Sequence, residues 1–239
     1  MERFSRKDVL AAAGGSGDAT NADLSGINLN NAELIGVRFD GSNLSGANLS
    51  GANLSGASFA GCDLSGCNLS SANCTAASFR GAKLAKAALP FSVLVGADFS
   101  GALLHGANFT NAHISAACFD RADLTEANFQ MVDGGMARFR GANMTRAVFR
   151  GSNMIGADLS GSNLPRAKLY GTDFSAANLS DAVLEGADIL ESTFTAANLT
   201  NVNLISARLK RSDMTRALLA GLKYDDSLQD TISKYDKKR

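Results

Sequence analysis

The sequence has little of what an active site, a membrane span or a nucleic-acid interface requires. It contains no tryptophan, two prolines and two histidines, and its 23 basic and 23 acidic residues cancel to a formal net charge of zero. No apolar run approaches the ~20 residues of a membrane-spanning helix. These absences argue against a membrane protein and against a surface dominated by one sign of charge.

The two histidines, His105 and His113, are expected to face outward on different sides of the molecule. The serines and aspartates are spread by a short repeat, and none is paired with a base and an orienting group as a catalytic nucleophile would be. The glycines do not form a phosphate-binding loop between a strand and a helix. The sequence therefore predicts a protein that is not an enzyme and that binds no cofactor or metal.

What the sequence has instead is a repeat of five residues. Every fifth position from Leu24 to Leu219 is Leu, Phe, Ile, Met or Cys, with Gly134 as the one exception. The position two residues earlier is always Ala, Ser, Cys, Thr, Val or Ile. A period of five fits neither an α-helix nor a flat strand, and it predicts a solenoid in which both positions point inward. We call them the centre position and the small inward position.

The phenylalanines indicate how many repeats make one turn. They recur at steps of twenty in three series: Phe39, Phe59, Phe79, Phe99, Phe119 and Phe139; Phe109, Phe129 and Phe149; and Phe174 with Phe194. Identical large side chains stack well when each lies directly above the next at the β spacing of about 4.8 Å. Twenty residues therefore make one turn of four five-residue faces, and the repeat predicts about ten turns.

With this geometry the chain resembles the pentapeptide-repeat proteins, whose unit reads A-(D/N)-L-x-x. Residues 47–51 and 52–56, both ANLSG, match that unit, as do residues 157–159 and 197–199. The resemblance covers about 200 of the 239 residues. It implies an all-β fold, a right-handed quadrilateral parallel β-helix, over residues 21–222. It implies little about function, because most members of the family have no established role.

A solenoid exposes open sheet edges at its two ends, so short helical caps are expected there. At the N-terminus, residues 1–20 are predicted to form a capping helix and loop. The helix begins after Ser5, with Asp8 in its first turn, and ends at Gly14. Val9 and Leu10, together with the preceding phenylalanine at position 4, are expected to cover the first turn.

At the C-terminus, residues 223–239 are predicted to form a second capping helix followed by a flexible tail. Asp226 is expected to cap a helix from Ser227 to about Lys234, with Leu228 and Ile232 on one face. The final three residues, 237–239, are expected to be disordered.

The four cysteines are too few for a disulfide framework in a chain of this length. Cys62 and Cys67 occupy small inward positions, Cys74 occupies a centre position, and Cys118 faces outward. The first three are interpreted as small buried apolar residues that replace Ala and Leu. The N-terminal segment is a poor signal peptide, and the predicted location is therefore cytoplasmic.

The charges are distributed in bands along the repeat. Residues 134–172 contain six basic residues and one acid, Asp158, and the basic residues form a candidate basic belt: Arg138, Arg140, Arg146, Arg150, Arg166 and Lys168. Stacking at steps of twenty predicts ion pairs between bands, Asp188 with Lys168 and Arg208, and Glu191 with Arg211. The bands are interpreted as a solvated surface with inter-turn salt bridges, and the alternative is a docking belt.

The same charges bear on the best-known activity in the family that the chain resembles. Some pentapeptide-repeat proteins mimic B-form DNA and bind type II topoisomerases, which protects bacteria from quinolones. Such mimicry needs a dense negative surface, because duplex DNA carries a charge about every 1.7 Å. Acids and bases balance over residues 24–219, which argues against such a surface. Inhibition or protection of a topoisomerase is therefore the alternative function and not the leading one. A narrow basic patch without interleaved aromatics argues against binding nucleic acid itself.

The repeat departs from its pattern most on one face, which we name the Leu34 face after its first centre residue. Its centres then follow at steps of twenty: Leu54, Cys74, Leu94, Ile114, Gly134, Met154, Phe174, Phe194 and Met214. Gly134 is the one centre without a side chain. Because Gly134 lies between Asp133 and Gly135, the sequence predicts a β-bulge or a local opening there.

Apolar residues also occupy outward positions of the Leu34 face. They are Phe91, Val93 and Val95, with Met131 and Ile155 in matching columns further along. An exposed apolar patch beside a backbone irregularity is typical of a contact surface. The sequence therefore predicts a rigid protein-interaction scaffold that binds another protein or a second copy through this face. Drift in a tolerant repeat, or contact with a terminal segment, is the alternative.

Overall fold

The period of five becomes a coil of four-sided turns in a computed structural model of the chain, which describes residues 2–15 and 17–236. Parallel β-bridges join residues twenty positions apart, from Asp18 with Arg38 at one end to Asn203 with Lys223 at the other. The predicted turn of twenty residues and the right-handed quadrilateral β-helix are confirmed. The bridges begin three residues before the predicted boundary at residue 21.

Most sides of the coil contain a single bridged residue, so regular strands are short. Strand β1 (Glu2–Arg3) pairs with β2 (Ala22–Asp23), and β3 (Asp188–Leu190) pairs with β4 (Arg208–Lys210), all in parallel. Helix α1 (Arg6–Ala13) precedes the coil, and a 3-10 helix (Asp226–Leu228) leads into helix α2 (Gln229–Asp236) after it. We name the faces after their first centres: the Leu24, Leu29, Leu34 and Phe39 faces.

Residues 47–51 show why this unit repeats. Ala47 and Leu49 are both buried, the small side chain leaving room for the large ones around it. The Asn48 side-chain oxygen accepts a hydrogen bond from the Ser50 amide at 3.1 Å, which bends the chain at the corner. Gly51 completes the corner with φ +66°, a left-handed conformation that costs glycine nothing. Each position of the motif therefore has its own physical task.

The three phenylalanine series stack as predicted. Neighbouring rings in the series of six have centroids 4.6–5.0 Å apart and planes within 6° of parallel. The series of three meets it edge-on, with Phe109 at 5.9 Å from Phe99 and 5.6 Å from Phe119. Stacked and edge-to-face contacts are the two favourable geometries for aromatic pairs. The middle of the coil therefore has a continuous aromatic core.

A column of buried hydroxyls replaces alanine in the last turns of the Leu34 face, at the small inward positions Ser152, Thr172, Ser192 and Ser212. At most small inward positions the amide donates to the carbonyl three residues back, as Ala47 does to Leu44 at 3.0 Å. Here the Thr172 amide donates instead to the Ser192 hydroxyl at 3.3 Å. The hydroxyls therefore supply acceptors to backbone N–H groups that would be costly to bury unpaired.

The N-terminal cap forms the predicted capping box. The Asp8 amide donates to the Ser5 hydroxyl at 3.3 Å, and the Asp8 carboxylate accepts the Ser5 amide at 2.8 Å. The Arg6 guanidinium ties the helix to the coil by donating to the Asn28 carbonyl at 2.7 Å. Val9 is buried, but the prediction for Leu10 is wrong, because its side chain is exposed.

The C-terminal cap differs from the prediction at its start. Asp226 does not cap it, because the 3-10 helix begins at that residue and Asp225 precedes it. The Asp225 carboxylate accepts the Ser206 amide of the coil instead of a helix amide. Leu228 and Ile232 are buried on one side of the cap, as predicted. The predicted flexible tail, residues 237–239, lies outside the described residues.

The cysteines lie where the repeat placed them. Cys62, Cys67 and Cys74 are buried, and Cys118 is partly exposed. Burial raises the pKa of the Cys62 and Cys67 thiols to about 12 and the pKa of Cys74 further still. Because the thiolate is the reactive form, we expect the three buried thiols to be unreactive in the folded chain.

We expect the four thiols to divide into one reactive and three unreactive groups. A chromogenic disulfide reagent at pH 8 should label about one thiol per folded chain and all four in concentrated urea. The Cys118→Ser variant should show almost no labelling until it is unfolded. Rapid labelling of more than one thiol in the folded protein would contradict this burial pattern.

The aromatic core gives a second prediction. Phe119→Ala removes a ring that stacks on Phe99 and Phe139 and should destabilise the coil by about 3–5 kcal/mol. Leu103→Ala, at an exposed outward position of the Leu24 face, is the matched control and should change stability by less than about 0.5 kcal/mol. Urea unfolding followed by circular dichroism measures both. Equal losses in the two variants would show that the ladder does not stabilise the coil.

Candidate functional site

The exposed apolar side chains predicted on the Leu34 face are present on its surface. Phe91 and Met131 are 60% and 61% exposed, Ile155 is 44% exposed and Val95 is 38% exposed. Val93 is partly buried between Asn73 and His113, its bridge partners in the adjacent turns. The structure therefore brings these outward residues onto one side of the coil.

The stacking of turns aligns these residues in columns. Phe91 and Met131 occupy the same corner column, two turns apart with Asn111 between them, a separation of roughly 10 Å. Val95 and Ile155 share the column on the other side of the face, three turns apart. The result is a patch several turns long rather than a single point of contact.

Gly134 belongs to the core and not to the surface, and the predicted bulge is wrong. The bridges from His113 through Asp133 to Asn153 continue without interruption, and the Gly134 amide donates to the Asn153 carbonyl at 2.8 Å. A Cβ atom at Gly134 would lie 2.8 Å from the Met154 sulfur. The flexible side chain of the next turn fills the space that glycine leaves, so the backbone keeps its regular path.

Sequence reasoning missed one residue of the patch. Met136 is 73% exposed and occupies the corner between the Leu34 and Phe39 faces. It stands two residues after the centre Gly134, in the same kind of corner position as Met131. The signal for Met136 is its place in the corner column of Gly96 and Ala116, at steps of twenty residues. The prediction at this point concerned the backbone around Gly134 and did not include the Met136 side chain.

Three exposed apolar residues that border the Leu34 face have a backbone conformation that disfavours folding. Phe91, Met131 and Met136 have φ of 58°, 55° and 60°, in the left-handed region where a side chain costs roughly 1–2 kcal/mol. Among the described residues, they are the large apolar side chains in this conformation, and all three border the Leu34 face. Neither their conformation nor their exposure to water helps the coil to fold.

The middle turns of the Leu34 face are also nearly free of charge. Between residues 51 and 156 its outward positions contain no lysine or arginine and one acid, Asp133. The His113 imidazole lies 3.8 Å from the Asp133 carboxylate. The rest of the surface there consists of apolar, small and neutral polar side chains. A charge-depleted surface with exposed aromatic and methionine side chains is typical of the core of a protein interface.

The candidate basic belt does not form one surface. Arg138 and Arg140 lie on the Phe39 face, whereas Lys168 lies on the opposite Leu29 face. Arg146 and Arg166 share the corner column between the Leu24 and Leu29 faces. The remaining member, Arg150, lies on the Leu29 face with its guanidinium 5.3 Å from the centre of the Tyr170 ring.

Acidic residues of adjacent turns neutralise much of the belt. Arg138 forms a salt bridge with Asp120, and Arg146 forms one with Glu126 at 3.2 Å. Arg140 pairs with Asp158 at 2.5 Å. Asp120 and Glu126 lie outside the band 134–172, so counting charges along the sequence overlooked them. Exposed pairs of this kind contribute little to stability.

The ion pairs predicted between bands are largely present. Arg208 lies 3.5 Å from Asp188, and Arg211 lies 3.0 Å from Glu191. Glu191 also accepts a hydrogen bond from the Tyr170 hydroxyl at 2.7 Å. This hydrogen bond lowers the pKa of Glu191, and the bond to Arg211 lowers it further. Lys168 is bridged to Asp188 through the backbone, but the ion pair of Asp188 is with Arg208.

Across residues 2–15 and 17–236, no helix has both the length and the apolar character needed to cross a membrane. In the same residues, no group of three His, Cys, Asp or Glu side chains is placed to hold a metal ion.

Solved structures that are similar to this one cover nearly the whole chain. HetL, a pentapeptide-repeat protein involved in heterocyst differentiation regulation in the cyanobacterium Nostoc sp. strain PCC 7120, is 29% identical over 93% of this chain and 98% of its own, with a TM-score of 0.43. Two trypsin-treated forms of QnrB1, a plasmid-mediated fluoroquinolone resistance protein, are 20% and 21% identical, with TM-scores of 0.51 and 0.50. They cover 91% and 92% of this chain and 96% and 97% of QnrB1. At this identity the likeness concerns the fold.

Among curated proteins, none matches this chain in sequence. The family model for pentapeptide repeats matches it in eight copies, over residues 18–51, 47–85, 92–130, 142–181 and 177–216. These segments include most of the coil and begin where its first β-bridge begins. The chain is therefore a member of the pentapeptide-repeat family.

Proposed function

We propose that this protein is a non-enzymatic, rigid scaffold that binds another protein through its Leu34 face. The observation that carries the proposal is the coincidence of three properties on one face. Large apolar side chains are exposed there, three of them stand in a conformation that opposes folding, and the surrounding surface is almost uncharged. Contact with a partner would recover the cost of exposure.

The architecture supports a binding role in a second way. The backbone of each turn is hydrogen-bonded to the turns on either side, so the face keeps its shape when a partner arrives. A preformed surface loses little conformational entropy on binding. Methionine side chains, here Met131 and Met136, adapt to irregular partner surfaces. Cytoplasmic location and the absence of a cofactor remain predictions from the sequence.

The proposal can be tested by photo-crosslinking from the face itself. We expect p-benzoylphenylalanine in place of Phe91 to yield a defined protein adduct in the cells that produce this protein. The matched control replaces Lys83, which is exposed in the same turn on the opposite Leu24 face. Excess wild-type protein should abolish the adduct, whereas excess Phe91→Arg protein should not.

Crosslinked products are identified by mass spectrometry and sized on a denaturing gel. If Phe91 and Lys83 give the same products, or if neither gives any, the Leu34 face is not a binding surface. The size of the adduct separates a foreign protein from a second copy of this chain, because the latter doubles the chain mass of 24.8 kDa.

The alternative function, mimicry of DNA toward a type II topoisomerase, finds no support in the surface charge. The net charge is zero, and arginines of the coil pair with acids of adjacent turns. We therefore expect no change in DNA supercoiling by purified gyrase when this protein is added, even in large molar excess. Inhibition of supercoiling at stoichiometric amounts would favour the alternative over the scaffold.

A further inference from the structure

We propose that the partner of the Leu34 face is a second copy of this chain, packed antiparallel about a twofold axis at His113. The inference rests on the proposed function of that face and names its occupant. A twofold interface joins the same patch of both copies, so that patch must be complementary to itself. The order of side chains along the columns of the Leu34 face has this property.

When two coils pack face to face, their geometry determines which columns of residues lie opposite each other. When two copies press one face together antiparallel, each column lies against the same column of the other copy in reverse order. An axis at the turn of Ile114 places His113 opposite its own equivalent. Residues one turn before the axis then face residues one turn after it, and so on outward in steps of twenty.

This register places large side chains opposite small ones. Val95 lies opposite Gly135, and Met136 lies opposite Gly96. Phe91 lies opposite Met131, a favourable contact between a thioether and an aromatic ring. Both members of each pair occur in each copy, so every contact forms twice.

The two turns beyond these continue the pattern. Ile155 lies opposite Thr75, which presents a methyl group to it. The opposing corner pairs are Ser71 with Gly151 and Ala76 with Gly156, all small. Large side chains meet only at the Phe91–Met131 contacts and at the axis, where the two His113 rings face each other, so the two flat faces can approach closely over at least five turns.

Charge selects this register over its neighbours. With the axis at His113, Glu33 lies opposite Thr193, and Asp173 lies opposite Asn53. A shift of the partner by one turn in either direction places Glu33 opposite an acid, Asp173 in one case and Asp213 in the other. Like charges directly opposed are unfavourable, so the adjacent registers are penalised and the axis at His113 is not.

Charge also excludes the parallel arrangement of the two copies. A twofold axis along the coil would place the middle column of the face against itself in the same order. Glu33, Asp133, Asp173 and Asp213 would then each meet their own equivalents. The antiparallel arrangement opposes none of these acids to another acid.

The contact area is that of a reversible dimer. Nine turns overlap in this register, a length of roughly 43 Å at the β spacing. The face is four residue steps wide, roughly 13 Å, and the two copies together would cover about 1,100 Å². This value is at the low end for specific protein complexes and predicts an association that depends on concentration.

The experiment is sedimentation equilibrium of the full chain with charge-exchange variants. Wild type should dimerise in the micromolar range, and Phe91→Arg or Met131→Glu alone should weaken the dimer at least tenfold. The double variant Phe91→Arg/Met131→Glu should restore dimerisation, because each guanidinium then faces a carboxylate of the other copy. Arg121 and Glu126 have φ of 58° and 59° at equivalent corners, so both substitutions suit the backbone.

Site-specific crosslinking tests the register independently. In a Cys118→Ser background, Asn111→Cys places a thiol beside the axis, where a short bismaleimide should join two copies efficiently. Ser71→Cys is the matched control, because its equivalent in the other copy lies four turns away, roughly 19 Å along the coil. Equal crosslinking at the two positions would overturn the register.

The outcomes separate this inference from the proposed function. A wild type that remains monomeric at 100 μM overturns the second-copy proposal, and so does a double variant that fails to regain the dimer while each single variant has lost it. If that monomer still gives a Phe91 adduct with a foreign protein, the scaffold function stands with another partner. Absence of both the dimer and the adduct overturns both proposals.

Discussion

The hydrogen bonds between turns determine everything else in this molecule. They join residues twenty positions apart along the coil and hold successive turns at the β spacing. Once that spacing is set, any residue lies directly over the one twenty positions earlier. The core, the ion pairs and the surface patches are all consequences of this single relation between position in sequence and position in space.

The same relation separates stability from function on each turn. The centre and small inward positions fill the interior, and the Asx bonds and left-handed corners bend the chain. The remaining outward positions contribute little to folding, so their side chains are free to serve recognition. In the middle turns of the Leu34 face they are mostly apolar, small or neutral polar, whereas on the Phe39 face they include paired ions such as Arg140 with Asp158.

Periodicity in the sequence predicts the coil, the turn of twenty residues, the phenylalanine ladders and the buried cysteines. Prediction from periodicity fails where a contact between turns, and not the local sequence, determines the structure. Gly134 looks like a break in the strand, but the Met154 side chain fills its place from the next turn. Asp226 looks like a helix cap, but Asp225 precedes the helix and binds the coil. The basic belt was counted along the chain, and the acids that neutralise Arg138 and Arg146 come from the turn before.

The contact between Gly134 and Met154 shows that the interior is not a pile of independent layers. The thioether of one turn occupies volume that belongs, by the repeat, to the turn before it. The quantity that dense packing holds constant is therefore the combined volume of vertically adjacent centres, not the volume of each. A repeat of this kind therefore tolerates a centre residue that is too small when the centre residue twenty positions away has a flexible, unbranched side chain that fills the space.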